Sequence, residues 1–197
     1  MREIAFTMFL LTFLSKSFAQ KSFEGSIKFK TEIFSNDKDF KLTLEKKYGD
    51  SLIVTYSKNG NLTREYLNSD YSGNYIQTYD SEKGILFFKH RNTSVIDSTD
   101  TKVNSIVKLI SKKKIQNQTI LKLDCECFEY RGISKYGQNV IINYCFSNTT
   151  QKINFKQFDK HIDFFVADFF QESQRPYLKF AIEADEFKII QTATEIK

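Results

Sequence analysis

The chain has 197 residues, 41% of them hydrophobic and 27% charged, and its formal net charge is +5. This length predicts one domain, and the interspersed charges with so small a positive excess argue against nucleic acid as a partner. Seven glycines are few for phosphate-binding loops, and the sequence lacks the motifs of serine hydrolases, zinc proteases and nucleotide-binding proteins. We therefore expect a non-enzyme without a metal or a cofactor.

The N-terminus has the pattern of a signal peptide. Arg2 gives a basic start, residues 4–14 form an apolar run too short for a membrane span, and small residues occupy positions 17 and 19. We predict a signal peptide over residues 1–19 and a single β-rich domain over residues 20–197. Because no cysteine follows the cleavage site and no later segment could span a bilayer, the mature protein is expected to be soluble in the periplasm or outside the cell.

Period-2 alternation dominates the first half of the mature chain. Residues 22–34 alternate apolar and polar side chains, and residues 40–44 are expected to continue this pattern as a strand. Asn59-Gly60 predicts a hairpin between residues 51–56 and 62–67, because this dipeptide favours a tight turn. A second hairpin is expected from 75–79 to 85–89, followed by a polar loop over 97–101.

The middle of the chain is harder to assign. Val103, Ile106, Val107 and Ile110 recur at helical spacing and predict a short helix. Three lysines at 112–114 are interpreted as a solvated end of an element, with a basic patch for phosphate or anionic lipid as the less favoured alternative.

Residues 119–130 and 139–146 predict the longest hairpin, and this hairpin carries all three cysteines. Pairing the strands about Lys135 places Cys125 opposite Cys145. An exported protein meets oxidising conditions, so we expect a disulfide between Cys125 and Cys145, with Cys127 as the alternative partner of Cys145.

The segment FKQFDKHIDFFVADFFQE, residues 155–172, has the strongest helical pattern of the chain. Its apolar residues recur at i, i+3/i+4 and i+7, which predicts one amphipathic helix. The polar residues His161, Asp168 and Glu172 are interpreted as its solvated side. The predicted fold class is α+β and mostly β, an antiparallel curved sheet or half-open barrel with this Phe-rich helix on its concave face. A hairpin over residues 177–184 and 187–196 ends the chain.

Three segments resemble uncharacterised exported families of Bacteroidetes-type bacteria. They are Phe23 to Phe29, Ile120 to Cys127, and Phe187 to Ile196 with its ending Thr192-Ala193-Thr194-Glu195-Ile196. Those families are similar in fold to the lipoprotein carriers of the periplasm. The resemblance implies a half-open antiparallel barrel and an exported protein, and it implies no catalytic residue.

Two functions are consistent with these observations. In the first, the protein is a cell-envelope interaction or structural module whose barrel is closed by an aromatic core, which is the more common use of phenylalanine. In the second, it is a carrier for a lipid or another apolar ligand held between sheet and helix. The candidate ligand face is then Phe158, Ile162, Phe165 and Phe169.

Overall fold

The computed structural model describes residues 22–70 and 72–197, so the predicted signal peptide and its cleavage site lie outside the described residues. The described residues form eleven strands, two α-helices and two short 3₁₀ turns. The strands are β1 (Gly25–Ser35), β2 (Ser51–Tyr56), β3 (Leu62–Leu67), β4 (Tyr75–Asp80), β5 (Ile85–His90), β6 (Asp97–Asp100), β7 (Ile106–Ile120), β8 (Leu123–Ser134), β9 (Asn139–Phe146), β10 (Lys179–Ala184) and β11 (Phe187–Ile196). The helices are α1 (Lys38–Tyr48) and α2 (Val166–Ser173), and the 3₁₀ turns are Phe155–Phe158 and Asp163–Phe165.

All eleven strands belong to one antiparallel sheet in the order β6-β5-β4-β3-β2-β1-β11-β10-β9-β8-β7. The two edge strands, β6 and β7, follow each other along the chain. Residues 101–105 connect them and can span about 20 Å at most. The sheet must therefore curl until its edges approach, which confirms the predicted mostly β fold with a curved antiparallel sheet.

Alternation along the central strands defines the concave face. Phe29 of β1 lies opposite Ala193 of β11, and Ile33 lies opposite Ile189. All four side chains are buried, because directly opposite residues point to the same side of a sheet. The hairpins predicted for β2–β3, β4–β5 and β10–β11 are confirmed by their pairing.

Residues 40–44 lie in helix α1, so the prediction of a strand there is wrong. The carboxylate of Asp37 caps the helix by accepting a hydrogen bond from the backbone N–H of Phe40 at 3.0 Å. Leu44 is buried in a cluster with Ile189 of β11. The helix therefore covers one end of the concave face, which a strand could not do.

The predicted helix over residues 103–110 is also wrong, because most of it is edge strand β7. Val107 is 64% exposed and Ile110 is 55% exposed, so neither contributes to a helical core face. The β-branched residues instead follow the pairing with β8. The predicted loop over residues 97–101 contains the exposed strand β6 at the opposite edge.

The lysines at 112–114 lie in the middle of β7 rather than at the end of an element, and each pairs with a glutamate. Lys112 pairs with Glu172 of α2, Lys113 with Glu129 at 3.2 Å, and Lys114 with Glu126 at 2.6 Å. These pairs neutralise the lysines locally, which favours the surface interpretation over a basic patch.

The predicted helix over residues 155–172 forms only in its second half, as α2. Phe164 and Phe165, immediately before α2, have positive φ angles of 53° and 58°. This left-handed conformation is unfavourable for a bulky residue and interrupts the helix. We call residues 155–173 the plug segment.

Long-range hydrogen bonds explain why the plug segment is not one helix. The backbone N–H groups of Ile162 and Asp163 both donate to the carbonyl of Thr101, at 3.0 and 3.3 Å. The hydroxyl of Thr101 donates in return to the carbonyl of Lys160 at 2.9 Å. These contacts replace the intrahelical bonds and attach the plug segment to the connection between the two sheet edges.

The disulfide joins Cys127 to Cys145, so the first choice of Cys125 is wrong and the alternative partner is correct. The hairpin pairs Ile133 with Asn139 and Cys127 with Cys145, which centres it on Tyr136 rather than Lys135. Moving the centre of a hairpin by one residue changes the cross-strand partner of a given residue by two positions. Cys125 remains a buried free thiol.

Candidate apolar-ligand cavity

The structure separates the four residues of the predicted ligand face. Phe158, Phe165 and Phe169 are 3%, 4% and 0% exposed, whereas Ile162 is 37% exposed. Phe169 stacks on Tyr144 of β9 with ring centroids 4.5 Å apart. Three of the four residues thus pack as core rather than line an open space.

Aromatic contacts pack this part of the concave face closely. Phe158 and Phe170 have centroids 4.4 Å apart, and Phe165 stacks on Tyr130 at 5.2 Å. Phe170, like Phe169, has no exposed surface. We call the region around these four phenylalanines the closed end.

A cavity of about 300 Å³ lies beside the closed end. Tyr48 of α1 borders one side of it, and Phe164 and Val166 of the plug segment border the other. The sheet forms most of the remaining wall, largely with apolar and aromatic side chains. The lining residues are Tyr48, Arg64, Tyr66, Gln77, Leu86, Tyr144, His161, Asp163, Phe164, Val166, Tyr177, Phe180, Ile182, Phe187, Ile189 and Gln191.

Strand β3 directs an arginine into this cavity. Leu62 and Tyr66 are buried on the concave face, and Arg64, two residues from each, shares their side of the strand. The Nε of Arg64 donates a hydrogen bond to the hydroxyl of Tyr177 at 3.2 Å. A permanent positive charge therefore lies in the wall of a mostly apolar cavity.

Arg64 has no acidic partner in the part of the chain that the structure describes. No Asp or Glu oxygen there lies within 4.0 Å of its guanidinium nitrogens, and Tyr177 alone accepts a hydrogen bond from it. Arg91, outside the cavity, pairs with Glu65. An inward-facing guanidinium is normally paired, because desolvating a charge is costly.

His161 also lines the cavity, and its predicted place on a solvated helix side is wrong. Its side chain is 3% exposed and lies against the ring of Tyr79, with centroids 4.8 Å apart. Neither ring nitrogen makes a hydrogen bond of good geometry. Burial and the nearby charge of Arg64 lower the pKa of His161 to about 3, so the imidazole is neutral at physiological pH. Asp168 and Glu172 are exposed, as predicted.

Asp163 is the one carboxylate among the described lining residues, and it is already bound. Its oxygens accept hydrogen bonds from the backbone N–H and the hydroxyl of Ser105, at 2.8 and 3.2 Å. Burial raises the pKa of Asp163, and the bonds from Ser105 oppose this change. The carboxylate holds the plug segment to the sheet edge.

Phe164 forms the border between the plug segment and the cavity. The hydroxyl of Tyr144 donates to the carbonyl of Phe164 at 2.9 Å, which holds this residue in its left-handed conformation. Non-glycine residues in this conformation are found more often where function constrains the backbone.

The sequence carries a signal for the inward direction of Arg64. In the run Leu62-Thr63-Arg64-Glu65-Tyr66, Arg64 has the same phase as the two apolar residues, so alternation alone places a charge inward. His161 carried no such signal, since its orientation depends on the break in the plug segment.

No three His, Cys, Asp or Glu side chains of residues 22–70 and 72–197 lie close enough together to hold a metal ion. Within the same residues, neither helix has the length and apolar character that crossing a membrane requires.

No protein-family profile and no curated protein matches the sequence. Among solved structures, the lipoprotein LppX of Mycobacterium tuberculosis aligns with 98% of this chain and 96% of its own, at 7% identity and a TM-score of 0.39. A putative outer membrane lipoprotein-sorting protein domain from Vibrio parahaemolyticus aligns with 95% of this chain and 91% of its own, at 8% identity and a TM-score of 0.35.

Proposed function

We propose that the protein is an exported, non-catalytic binding module that carries an apolar ligand in the cavity between the sheet and the plug segment. The cavity of about 300 Å³ supports this proposal. Folded proteins contain few voids larger than a water molecule, and small-molecule sites begin at roughly this volume. A mostly apolar wall with a few polar groups is the usual composition of such sites.

Export is part of the proposal and rests on residues 1–19. The basic start, the short apolar run and the small residues before Gln20 favour cleavage by signal peptidase. The mature protein would then meet its ligand in the periplasm or outside the cell. N-terminal sequencing of the protein recovered from its host should give Gln20 as the first residue.

The alternative function is an interaction module of the cell envelope with a closed core. The closed end favours it, because three of the four predicted ligand-face residues are buried there. The two functions differ in whether the adjacent cavity is occupied in solution by an apolar molecule.

Binding of a neutral apolar dye, N-phenyl-1-naphthylamine, to delipidated protein distinguishes the two functions. We expect saturable binding of one dye per chain. Ile182 lines the cavity from β10, so Ile182→Trp should fill it and weaken binding about tenfold or more, which is a loss of about 1.4 kcal/mol.

Ile141→Trp is the matched control. Ile141 lies on β9 opposite Glu183, one position from the pair formed by Ile142 and Ile182, and therefore points to the other face of the sheet. We expect this variant to bind the dye like the wild type. Lack of saturable binding by the wild type would favour the closed-core function, as would equal effects of the two substitutions in folded protein.

A further inference from the structure

We propose that the ligand is an anionic amphiphile whose carboxylate pairs with the guanidinium of Arg64 while its apolar chain fills the rest of the cavity. This inference rests on the proposed function and adds the chemical class of the ligand. It depends on the position of Arg64, on the polar groups around it and on the size of the space beside it.

The guanidinium has an unused capacity for hydrogen bonds. Of its five N–H donors, one donates to the hydroxyl of Tyr177. The remaining donors lie in a cavity wall where no described carboxylate reaches them. A carboxylate fits two parallel donors of an arginine, and such charge-assisted pairs are the strongest hydrogen bonds in proteins.

His161 supplies a second, independent observation. Its ring is buried at the cavity wall, and both nitrogens lack a hydrogen bond of good geometry. The neutral ring can donate one hydrogen bond to an anion without adding charge. A buried polar group without a partner is uncommon in a folded protein, and a ligand oxygen would satisfy it.

The remaining wall is suited to a hydrocarbon chain. Leu86, Val166, Phe180 and Ile182 line it together with tyrosine rings. At about 30 Å³ for each water molecule, the volume holds about ten waters, or a chain with roughly that many heavy atoms. A medium-chain fatty acid therefore matches both the charge and the space.

Three ligands with the same ten-carbon chain test this inference by isothermal titration calorimetry on delipidated protein. Decanoate is anionic, decanol is neutral and decyltrimethylammonium is cationic. We expect decanoate to bind at least about tenfold more tightly than decanol, about 1.4 kcal/mol, and the cationic ligand to bind most weakly. In Arg64→Met the ratio of the decanoate and decanol affinities should fall to about one.

Two further variants separate a binding role from a structural one. Arg64→Lys keeps the charge without the planar donors and should retain part of the preference for decanoate. Arg91→Met removes an exposed arginine that pairs with Glu65 outside the cavity, and it should leave the preference intact. In the ligand-free protein, Arg64→Met should raise the midpoint of thermal unfolding, because it removes a half-buried charge without an acidic partner. A structural arginine would lower that midpoint.

The outcomes distinguish this inference from the function on which it rests. If decanol binds as tightly as decanoate, the anionic class is overturned and the apolar-ligand function stands. If Arg64→Met keeps the full preference, the assignment to this guanidinium is overturned. If none of the three ligands binds the wild type, both proposals fail.

Discussion

The concave face has two regions built from similar aromatic residues. One region is closely packed, and the other encloses a cavity. At the closed end, phenylalanines of the plug segment meet tyrosines of the sheet with ring centroids 4.5 and 5.2 Å apart, and Phe158 and Phe170 lie 4.4 Å apart. In the cavity, tyrosines and phenylalanines surround about 300 Å³ of space. The difference is that Arg64 and His161 point into the second region. Polar groups whose hydrogen-bonding capacity is not filled within the protein oppose closure of an apolar core over them.

Two tyrosines connect these regions. Tyr144 stacks on Phe169 in the closed end and also lines the cavity. Tyr177 lies 6.4 Å from the ring of Phe170 and accepts the hydrogen bond of Arg64. The closed end therefore positions the polar groups of the cavity, so that one face of the sheet contributes both stability and a site.

The largest expected effect is at the closed end. Phe169→Ala removes a fully buried ring between Tyr144 and Phe170 and should lower the free energy of unfolding by about 3–5 kcal/mol. Phe164→Ala is the matched variant at the cavity border. Because its half-buried ring already faces the cavity, the loss should be below about 2 kcal/mol. Urea unfolding of delipidated protein gives both values, and equal losses would remove the distinction between the two regions.

The disulfide should contribute stability without affecting the cavity. Alternation places Cys127 and Cys145 on the face opposite Tyr144. For a sequence separation of 18, replacing both cysteines by alanine should cost about 3 kcal/mol in the chain-entropy model. The affinity for decanoate should not change. Cys125→Ala, which leaves the bond intact, should cost less. A change in ligand affinity in the double variant would mean that the two faces are coupled.

The last prediction concerns His161 and depends on pH. Its pKa is lowered from 6.5 to about 3 in the folded protein, so below pH 6.5 the unfolded chain binds a proton that the folded chain does not. Stability from this group is therefore fully present above pH 6.5 and falls by about 1.4 kcal/mol per pH unit as the pH decreases toward 3.

His161→Gln lacks this titration, so the difference in unfolding free energy between wild type and variant isolates the histidine. Asp163, whose raised pKa acts in the opposite direction, is common to both proteins and cancels. If this difference in unfolding free energy were the same at pH 7 and pH 4.5, the ring of His161 would be solvated. The cavity would then extend past His161.

Local patterns predicted most of the sheet. The hairpin at Asn59-Gly60 and the alternation of β1 depend on neighbouring residues alone, and the structure confirms them. Helix α1 also carried local signals, since Asp37 is a capping residue and Phe40, Leu44 and Tyr48 recur at helical spacing. The strand prediction depended on alternation of only three apolar residues, Phe40, Leu42 and Leu44, which was weaker evidence than these helix signals.

The candidate site was less predictable, because its key positions depend on distant contacts. The helical pattern of residues 155–172 is real, but Thr101 and Ser105, from the connection between the two edge strands, bind its first half and break it. That break buries His161 and turns Phe164 toward the cavity. The disulfide partner depended on the centre of the hairpin, which lies one residue from the position that the sequence predicted.

By itself, the sequence determined that this chain forms an antiparallel, mostly β domain with a Phe-rich segment against its apolar face, because strand periodicity and turn residues act locally. Only the tertiary structure decided which aromatic residues close the core and which leave a cavity. That outcome depends on how the curled sheet brings residues 101–105 to the plug segment, and no short-range pattern encodes a contact between chain segments about sixty residues apart.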